Sequence, residues 1–548
     1  MRIRFPYLAL SLTAYLALSL AACDSSIQGQ AADNRLPETE LSVRVTDLRE
    51  TLGDGTLVST VEVSWSGTDP DGFIASYDFR FYDEMLLGSI GPEENWTSTT
   101  SRDTTVLLPI PPGESTAAVV VEVRAVDNDG LKDPTPARTI FPIRNSPPEF
   151  RFVESEAPPD TTWPIFSFTW VGSDPDGDED LAGIEVAFND TLSGFTRLPA
   201  DIDFVTFRAE DPRAMGMTTA QVFLGRAFQP SSLTVPNLVL DGENVVYMRA
   251  VDRTDTTSTV VRFPRDEEDA FVVKRVSSDI LLVNDYRKEN YDVVMPYHEA
   301  LLDEYVGAGN YDEWYLAEPF QTGSTIVTAY SENLPANPDP VLTETLRLWR
   351  HIYWVSTNAT NRSLGNNLPL AANFIDGFLT DGGSIFVNVA IQLPTSPDDN
   401  LGNGALSLLP LAGLLTFGEG SEYPEYDPRL DLFTGAAVTP QNTLPNGVPL
   451  PALRTSRFVD RTFSYPVDEG SIPLYSGEYT AYLKDGGTTP WEGPSTVASF
   501  RNDGRVALFA LPLLTDLTGS LTLEGTDGDP NAPKEAIKLI LDALGFAP

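Results

Sequence analysis

Five acids in one short stretch come nearest to a chemical signature in this 548-residue chain: Asp174, Asp176, Asp178 and Asp180 occupy alternate positions, and Glu185 stands twelfth from the first. A calcium ion needs several hard carboxylate oxygens converging on one point, and alternate spacing on a tight loop supplies them. Glu179 stands where such a loop turns on glycine, and the flanking segments alternate like strands, so a solvated hairpin turn is the competing expectation. Calcium is the one cofactor this pattern suggests, and nothing else in the chain requires one.

Other reactive groups are sparse. Cys23 is the only cysteine, and His298 and His351 are the only histidines. A serine or thiol nucleophile needs a base within reach, and neither histidine falls on an elbow with a nucleophile close by in sequence. Gly382-Gly383-Ser384 precedes an apolar run instead of following one, which makes it a helix stop. No Gly-x-Ser-x-Gly, Walker or dinucleotide loop occurs. No catalytic residue is assigned on these grounds, although paired carboxylates for glycoside or peptide hydrolysis stay open among so many acids.

The elements that would position a site begin after Lys274. Ile280-Leu281-Leu282-Val283 and Ile352-Tyr353-Trp354-Val355 are continuous apolar runs, as expected of strands buried on both faces of a parallel sheet. Ser384–Val389 and Val506–Leu511 read the same way, and helical periods lie between them, around Tyr297–Tyr305, Leu342–Trp349, Leu370–Leu379 and Lys534–Leu544. Strands alternating with helices predict an α/β doubly wound domain of flavodoxin-like type over 277–548, with a β-rich insertion at about 392–495. In such a sheet ligands bind beyond the carboxyl ends of the strands. The expected crevice gathers Asn284, Asp285, Tyr286, Ser356, Thr357, Asn358 and Asn388. Trp491 and the tyrosines of the insertion form either an aromatic platform or a core.

Upstream, a repeat organises the chain. Trp65-Ser66-Gly67-Thr68-Asp69-Pro70-Asp71-Gly72 recurs as Trp170-Val171-Gly172-Ser173-Asp174-Pro175-Asp176-Gly177, and Arg124-Ala125-Val126-Asp127 recurs as Arg249-Ala250-Val251-Asp252. Two matches in the same order indicate duplication. Each copy alternates apolar and polar residues in short runs broken by turns, which predicts two all-β sandwiches, 40–146 and 147–276. The second copy is longer between its tryptophan and arginine, and the surplus falls near Phe207 to Pro230, as padding or as a binding loop.

Composition sets outer bounds. With 79 acids against 36 lysines and arginines the formal charge is −43. That field repels a polyanion, and no basic run overrides it, so nucleic acid is excluded as a partner. The acids are dispersed and only six cations are lysine, a halophile-like surface, or simply that of an acidic extracytoplasmic protein.

Three family resemblances follow from these residues. Met1-Arg2-Ile3-Arg4, an apolar run to Leu20 and then Leu20-Ala21-Ala22-Cys23 resemble the signal peptide and lipobox of bacterial lipoproteins. The resemblance implies a signal peptide at 1–22, lipidation of Cys23, a flexible tether at 23–39, and a place on the cell membrane or outer membrane facing the periplasm or exterior. The tryptophan strand, the Tyr77-Asp78-Phe79-Arg80 strand and the late Arg-Ala-Val-Asp strand resemble fibronectin type III and related immunoglobulin-like modules. The strands at 280–286, 352–357, 378–389 and 504–513 resemble the class I glutamine-amidotransferase-like superfamily, whose enzymes carry a cysteine on a strand elbow. Val389 runs instead into Ala390-Ile391-Gln392, so the resemblance implies a non-catalytic descendant. A lipid-anchored envelope protein that binds or scaffolds, with an envelope protein or glycan as partner, is the expected function. An envelope hydrolase with an unrecognised carboxylate site is the competing one.

Overall fold

The computed structural model describes residues 33–51, 57–84, 89–109, 116–286, 291–316, 334–357, 367–391, 402–515 and 518–547. Cys23 and Asn358 lie outside the described residues. The chain divides into two compact units, one ending at Ser146 and including Arg253–Thr256, the other made of Pro147–Asp252 and Thr257–Pro548.

The first unit holds two antiparallel sheets. One orders Glu38–Thr51, Leu57–Thr68 and Asp103–Pro109, and the other orders Thr97–Thr99, Ile74–Asp83, Thr116–Asp127 and Ala137–Arg144. Strand alternation sends Val63 and Trp65 inward, where they meet Tyr77, Val121, Val123 and Ala125. On the opposite face of the second sheet, Glu122 and Arg124 are also buried. They lie in a charged ladder: Arg80 binds Glu122 at 2.6 Å, Arg124 binds Asp78 at 3.2 Å and Glu93 at 2.8 Å, and the Trp96 ring sits 4.3 Å from the Arg80 guanidinium carbon and 4.2 Å from that of Arg124. The indole covers the ion pairs, and its π-face attracts both cations.

The second unit opens with another sandwich. A five-stranded sheet orders Gln229–Val239, Met217–Leu224, Phe204–Ala209, Ile165–Ser173 and Glu149–Phe152. A four-stranded sheet orders Thr196–Leu198, Leu181–Phe188, Val246–Asp252 and Val261–Phe263. Between them lies a core rich in phenylalanine, with Phe166, Phe168, Phe188 and Phe207 in ring contact. The surplus length of this copy is strand, contrary to the loop expected from sequence. Phe204–Ala209, Met217–Leu224 and Gln229–Val239 pair in succession and bury Ala220, Val222 and Val235.

A ten-stranded sheet follows. Asp312–Tyr315, Ile280–Asp285, His351–Ser356, Ser384–Val389 and Val506–Phe509 run parallel in that spatial order. Five antiparallel strands then continue the same sheet: Thr496–Arg501, Ser471–Gly477, Ala437–Pro440, Leu453–Thr455 and Leu523–Gly525. The winding reverses between Ile280–Asp285 and His351–Ser356, which leaves a crevice at their carboxyl ends. Helix Tyr291–Val306 begins earlier than its periodicity suggests and runs through Pro296, and the stretch expected as one helix near 370–379 is two short ones, Leu368–Ala371 and Asp376–Thr380. Among the described residues no helix is long and apolar enough to cross a membrane.

The second sandwich and this sheet share a tryptophan joint. Trp163, buried beside the Ile165–Ser173 strand, packs edge-on against Trp349 with ring centroids 4.6 Å apart and against Trp314 at 6.3 Å. Trp349 donates its indole N–H to Asp312 at 2.8 Å, and Lys274 lies over the face of Trp163.

Candidate functional site

The crevice at the strand ends is a cavity of about 1040 Å3. Its floor is built by the parallel strands, through Tyr286, Ser356, Thr357 and Asn388, and its wall by helix Tyr291–Val306, through Val294 and His298. The rest comes from the β-rich extension: Pro428 and Arg429, the run from Arg457 to Phe463, and residues between Pro512 and Thr522. A parallel sheet delivers its loops to one end, and the antiparallel extension folds back over that end.

Of the crevice residues expected from sequence, Tyr286, Ser356, Thr357 and Asn388 line the cavity. Asn284 and Asp285 do not. Asp285 is 1% exposed and its carboxylate is turned into the protein: Oδ2 accepts from the Asn367 backbone N–H at 2.8 Å, from Ser356 Oγ at 3.2 Å and from Trp354 at 3.3 Å, while Oδ1 accepts from the Asn367 amide at 2.7 Å. A carboxylate taken out of water needs this many donors. Asn284 is equally buried, and its backbone carbonyl accepts from Leu316 at 2.9 Å. Asn388 donates its amide to the carbonyls of Phe509 at 2.9 Å and Leu511 at 3.0 Å, tying two strand ends together below the cavity.

His298 lines the wall in a fully desolvated setting. Burial disfavours the imidazolium and pushes its pKa down to about 3, and Nδ1 is paired with the Tyr353 hydroxyl at 2.9 Å. It is therefore neutral at physiological pH. His351 lies elsewhere, paired with Ser384 Oγ at 2.8 Å, its pKa lowered by burial.

Of the residues expected to hold calcium, Glu185 is placed apart from the aspartates of the turn. Asp174, Asp176 and Asp180 are buried in the turn, but Asp174 Oδ1 accepts from the Asp176 backbone N–H at 2.8 Å, an Asx-type turn closure. Glu185 stands on a strand, with Oε2 bound to Arg249 at 2.7 Å and Oε1 to Arg197 at 3.1 Å. Among the described residues no group of three or more His, Cys, Asp or Glu side chains is placed to hold a metal ion. The spacing arises because Glu185 faces Arg249 across the sheet as Asp78 faces Arg124 in the first copy.

The aromatic residues of the extension pack on one another. Trp491 meets Tyr423 at 4.7 Å and Tyr426 at 5.3 Å, and Tyr475 and Tyr479 are buried. Tyr475 and Tyr479 are core, and Trp491, Tyr423 and Tyr426 are half-buried against it.

Sequence reasoning missed Arg429, Arg457 and Arg461. A signal was present: Arg454, Arg457 and Arg461 fall within eight positions of a chain otherwise dominated by acids. Nothing in the spacing said which cavity they would face.

No family model matches the chain, and no curated protein matches it. Among solved structures, the FN1–FN3 domains of chicken CNTN1 are similar at 13% identity, over 42% of this chain and 97% of that one, with a TM-score of 0.15. Domains 4–9 of the surface-layer protein SbsC show 14% identity over 40% and 37%, with a TM-score of 0.16. The purple acid phosphatase PPD1 of yellow lupin seeds shows 8% identity over 86% and 96%, with a TM-score of 0.15. Likeness this slight assigns neither ligand nor activity. The class that the sheets define is a β-rich multidomain protein with β-sandwich modules.

Proposed function

We propose that this chain is a lipid-anchored cell-envelope protein whose α/β domain binds a small molecule without converting it, held on β-sandwich modules that follow a lipidated Cys23. The strand order of the parallel half, second-first-third-fourth-fifth, supports a flavodoxin-like core related to the class I glutamine-amidotransferase-like superfamily. The observation that carries binding is the cavity of about 1040 Å3 at the switch point of the sheet, where open α/β folds take ligands.

Two features favour binding over hydrolysis. Asp285, the carboxylate best placed by sequence to act as an acid or base, has both oxygens engaged by neighbouring donors. His298, the histidine on the wall, is made a weak base by burial, with its pKa pushed down to about 3, far from the value that suits a general base. The test is a thermal-shift screen of the purified full chain against envelope metabolites, glycan fragments and peptides, repeated with Thr518→Trp, which fills the cavity from its exposed rim. A ligand that raises Tm in the native chain and fails with the variant, without turnover, is the expected result. Turnover of the bound compound would replace this reading with the hydrolase one. Anchoring is tested separately by mass spectrometry of the amino-terminal peptide from bacterial membranes, which should carry acyl chains on Cys23 and lose them in Cys23→Ser.

A further inference from the structure

We infer that the cavity takes an anionic ligand, a carboxylate or a phosphoryl group gripped by Arg457 and Arg461, with a neutral body reaching toward the sheet. The inference rests on the binding reading above and adds the ligand's charge. In a chain of formal charge −43, cations are expected to be neutralised by the surrounding acids, and Arg80, Arg124, Arg249 and Arg429 all are. Arg457 and Arg461 are not. Both line the cavity, both are exposed, and among the described residues neither guanidinium has a carboxylate within ion-pair distance.

The backbone around them is held in place from several sides. Val459 exchanges two backbone hydrogen bonds with Leu432, at 2.8 and 2.9 Å, and the Phe463 N–H donates to the Ile391 carbonyl at 2.9 Å. Between these anchors Arg461 adopts φ +50, the left-handed region that costs a side-chain-bearing residue energy, and its N–H donates to Asp431 Oδ1 at 3.1 Å. Asp431 is fully buried, and Oδ2 is occupied by Arg429 at 2.6 Å and by the Tyr482 hydroxyl at 2.7 Å. Its charge is thus matched by Arg429 and cannot also serve Arg461. Among the described residues the one acid lining the cavity is Asp460, which is exposed, so Arg457 and Arg461 outnumber it. A pinned, strained turn that presents two unmatched planar donors into a cavity is suited to a carboxylate or phosphate, which a guanidinium binds in a fork. Deeper in, hydroxyls of Ser356 and Thr357 and apolar surface of Val294, Val355 and Leu513 suit an uncharged body.

Calorimetric titration of the full chain at low ionic strength with phenyl phosphate, benzoate and neutral benzamide tests this. Phenyl phosphate and benzoate should bind, benzamide at least about tenfold more weakly, and added NaCl should weaken the anions alone. The double variant Arg457→Ala/Arg461→Ala should lose at least about tenfold in anion affinity while keeping its Tm. Whichever anion binds more tightly distinguishes a phosphoryl ligand from a carboxylate. Equal binding of benzamide, retained affinity in the double variant, or no binding by either anion would overturn the inference. Benzamide binding that Thr518→Trp abolishes would leave the cavity reading standing and remove only the charge assignment.

Discussion

The two sandwich copies share one rung of a charged ladder and differ at the next. Asp78 faces Arg124 in the first, and Glu185 faces Arg249 in the second, at matching register. Two residues along, Arg80 faces Glu122 in the first copy, whereas Ala187 faces Tyr247 in the second. The shared rung also sits in different surroundings. Trp96 covers Arg124 and leaves its side chain 6% exposed, while Arg249 has the smaller Phe195 ring at 4.4 Å and stays 28% exposed. A duplicated ion pair therefore ended as a buried network in one copy and as a half-open surface pair in the other. Its energetic weight must differ, because desolvation penalises an unmatched charge in the first case and water compensates in the second.

The largest effect expected from this contrast follows Arg80→Ala or Arg124→Ala. Each removes one of the cations on a buried carboxylate, leaving Glu122 to Arg138 and Asp78 to Lys132, and should cost the first sandwich about 2 kcal/mol. Hydrogen exchange at Ile74–Asp83 and Thr116–Asp127 would report it without requiring the whole chain to unfold in one step. Acid should open the same strands by another route. Although burial works the other way, the Ser98 hydroxyl, Lys132 and Arg124 hold Asp78 below its ordinary value, and Arg80 and Arg138 do the same for Glu122. A carboxylate lowered by folding contributes stability above its unfolded pKa of about 4, and that contribution is lost as pH falls through the folded value. Protection of these two strands should therefore hold at neutral pH and decay below about pH 4.

A smaller change, about 1 kcal/mol, is expected for Arg249→Ala, since the pair it breaks is partly solvated. A loss as large as that of Arg124→Ala would erase the distinction between the copies. Smallest of all is the response to calcium removal. With Glu185 bound to two arginines, chelator should leave the Tm of the second unit unchanged, and a clear drop would assign a cation to Asp174, Asp176 and Asp180.

Sequence made the duplication plain because Trp65 and Trp170, with Arg124 and Arg249, recur in order. It did not reveal Trp96, which stands on a loop outside the repeated pattern. The parallel strands were legible as unbroken apolar runs, but a run buried on both faces hides which way its last polar residues turn, and Asp285 turned inward. Glu185 misled because a strand's alternation and a cation loop's spacing coincide over a few residues. Arg457 and Arg461 reach the cavity only because antiparallel strands distant in sequence extend the sheet and fold over its end, a long-range outcome no local pattern encodes.

The edge-on contact of Trp163 with Trp349 bears on how the molecule can be dissected. A boundary at residue 277, natural from the change in sequence pattern, would cut away the indole that seals Trp314 and Trp349. The compact unit that holds the sheet therefore starts at Pro147, and the neighbouring sandwich, with a core of its own, lends Trp163 to the sheet's hydrophobic interior.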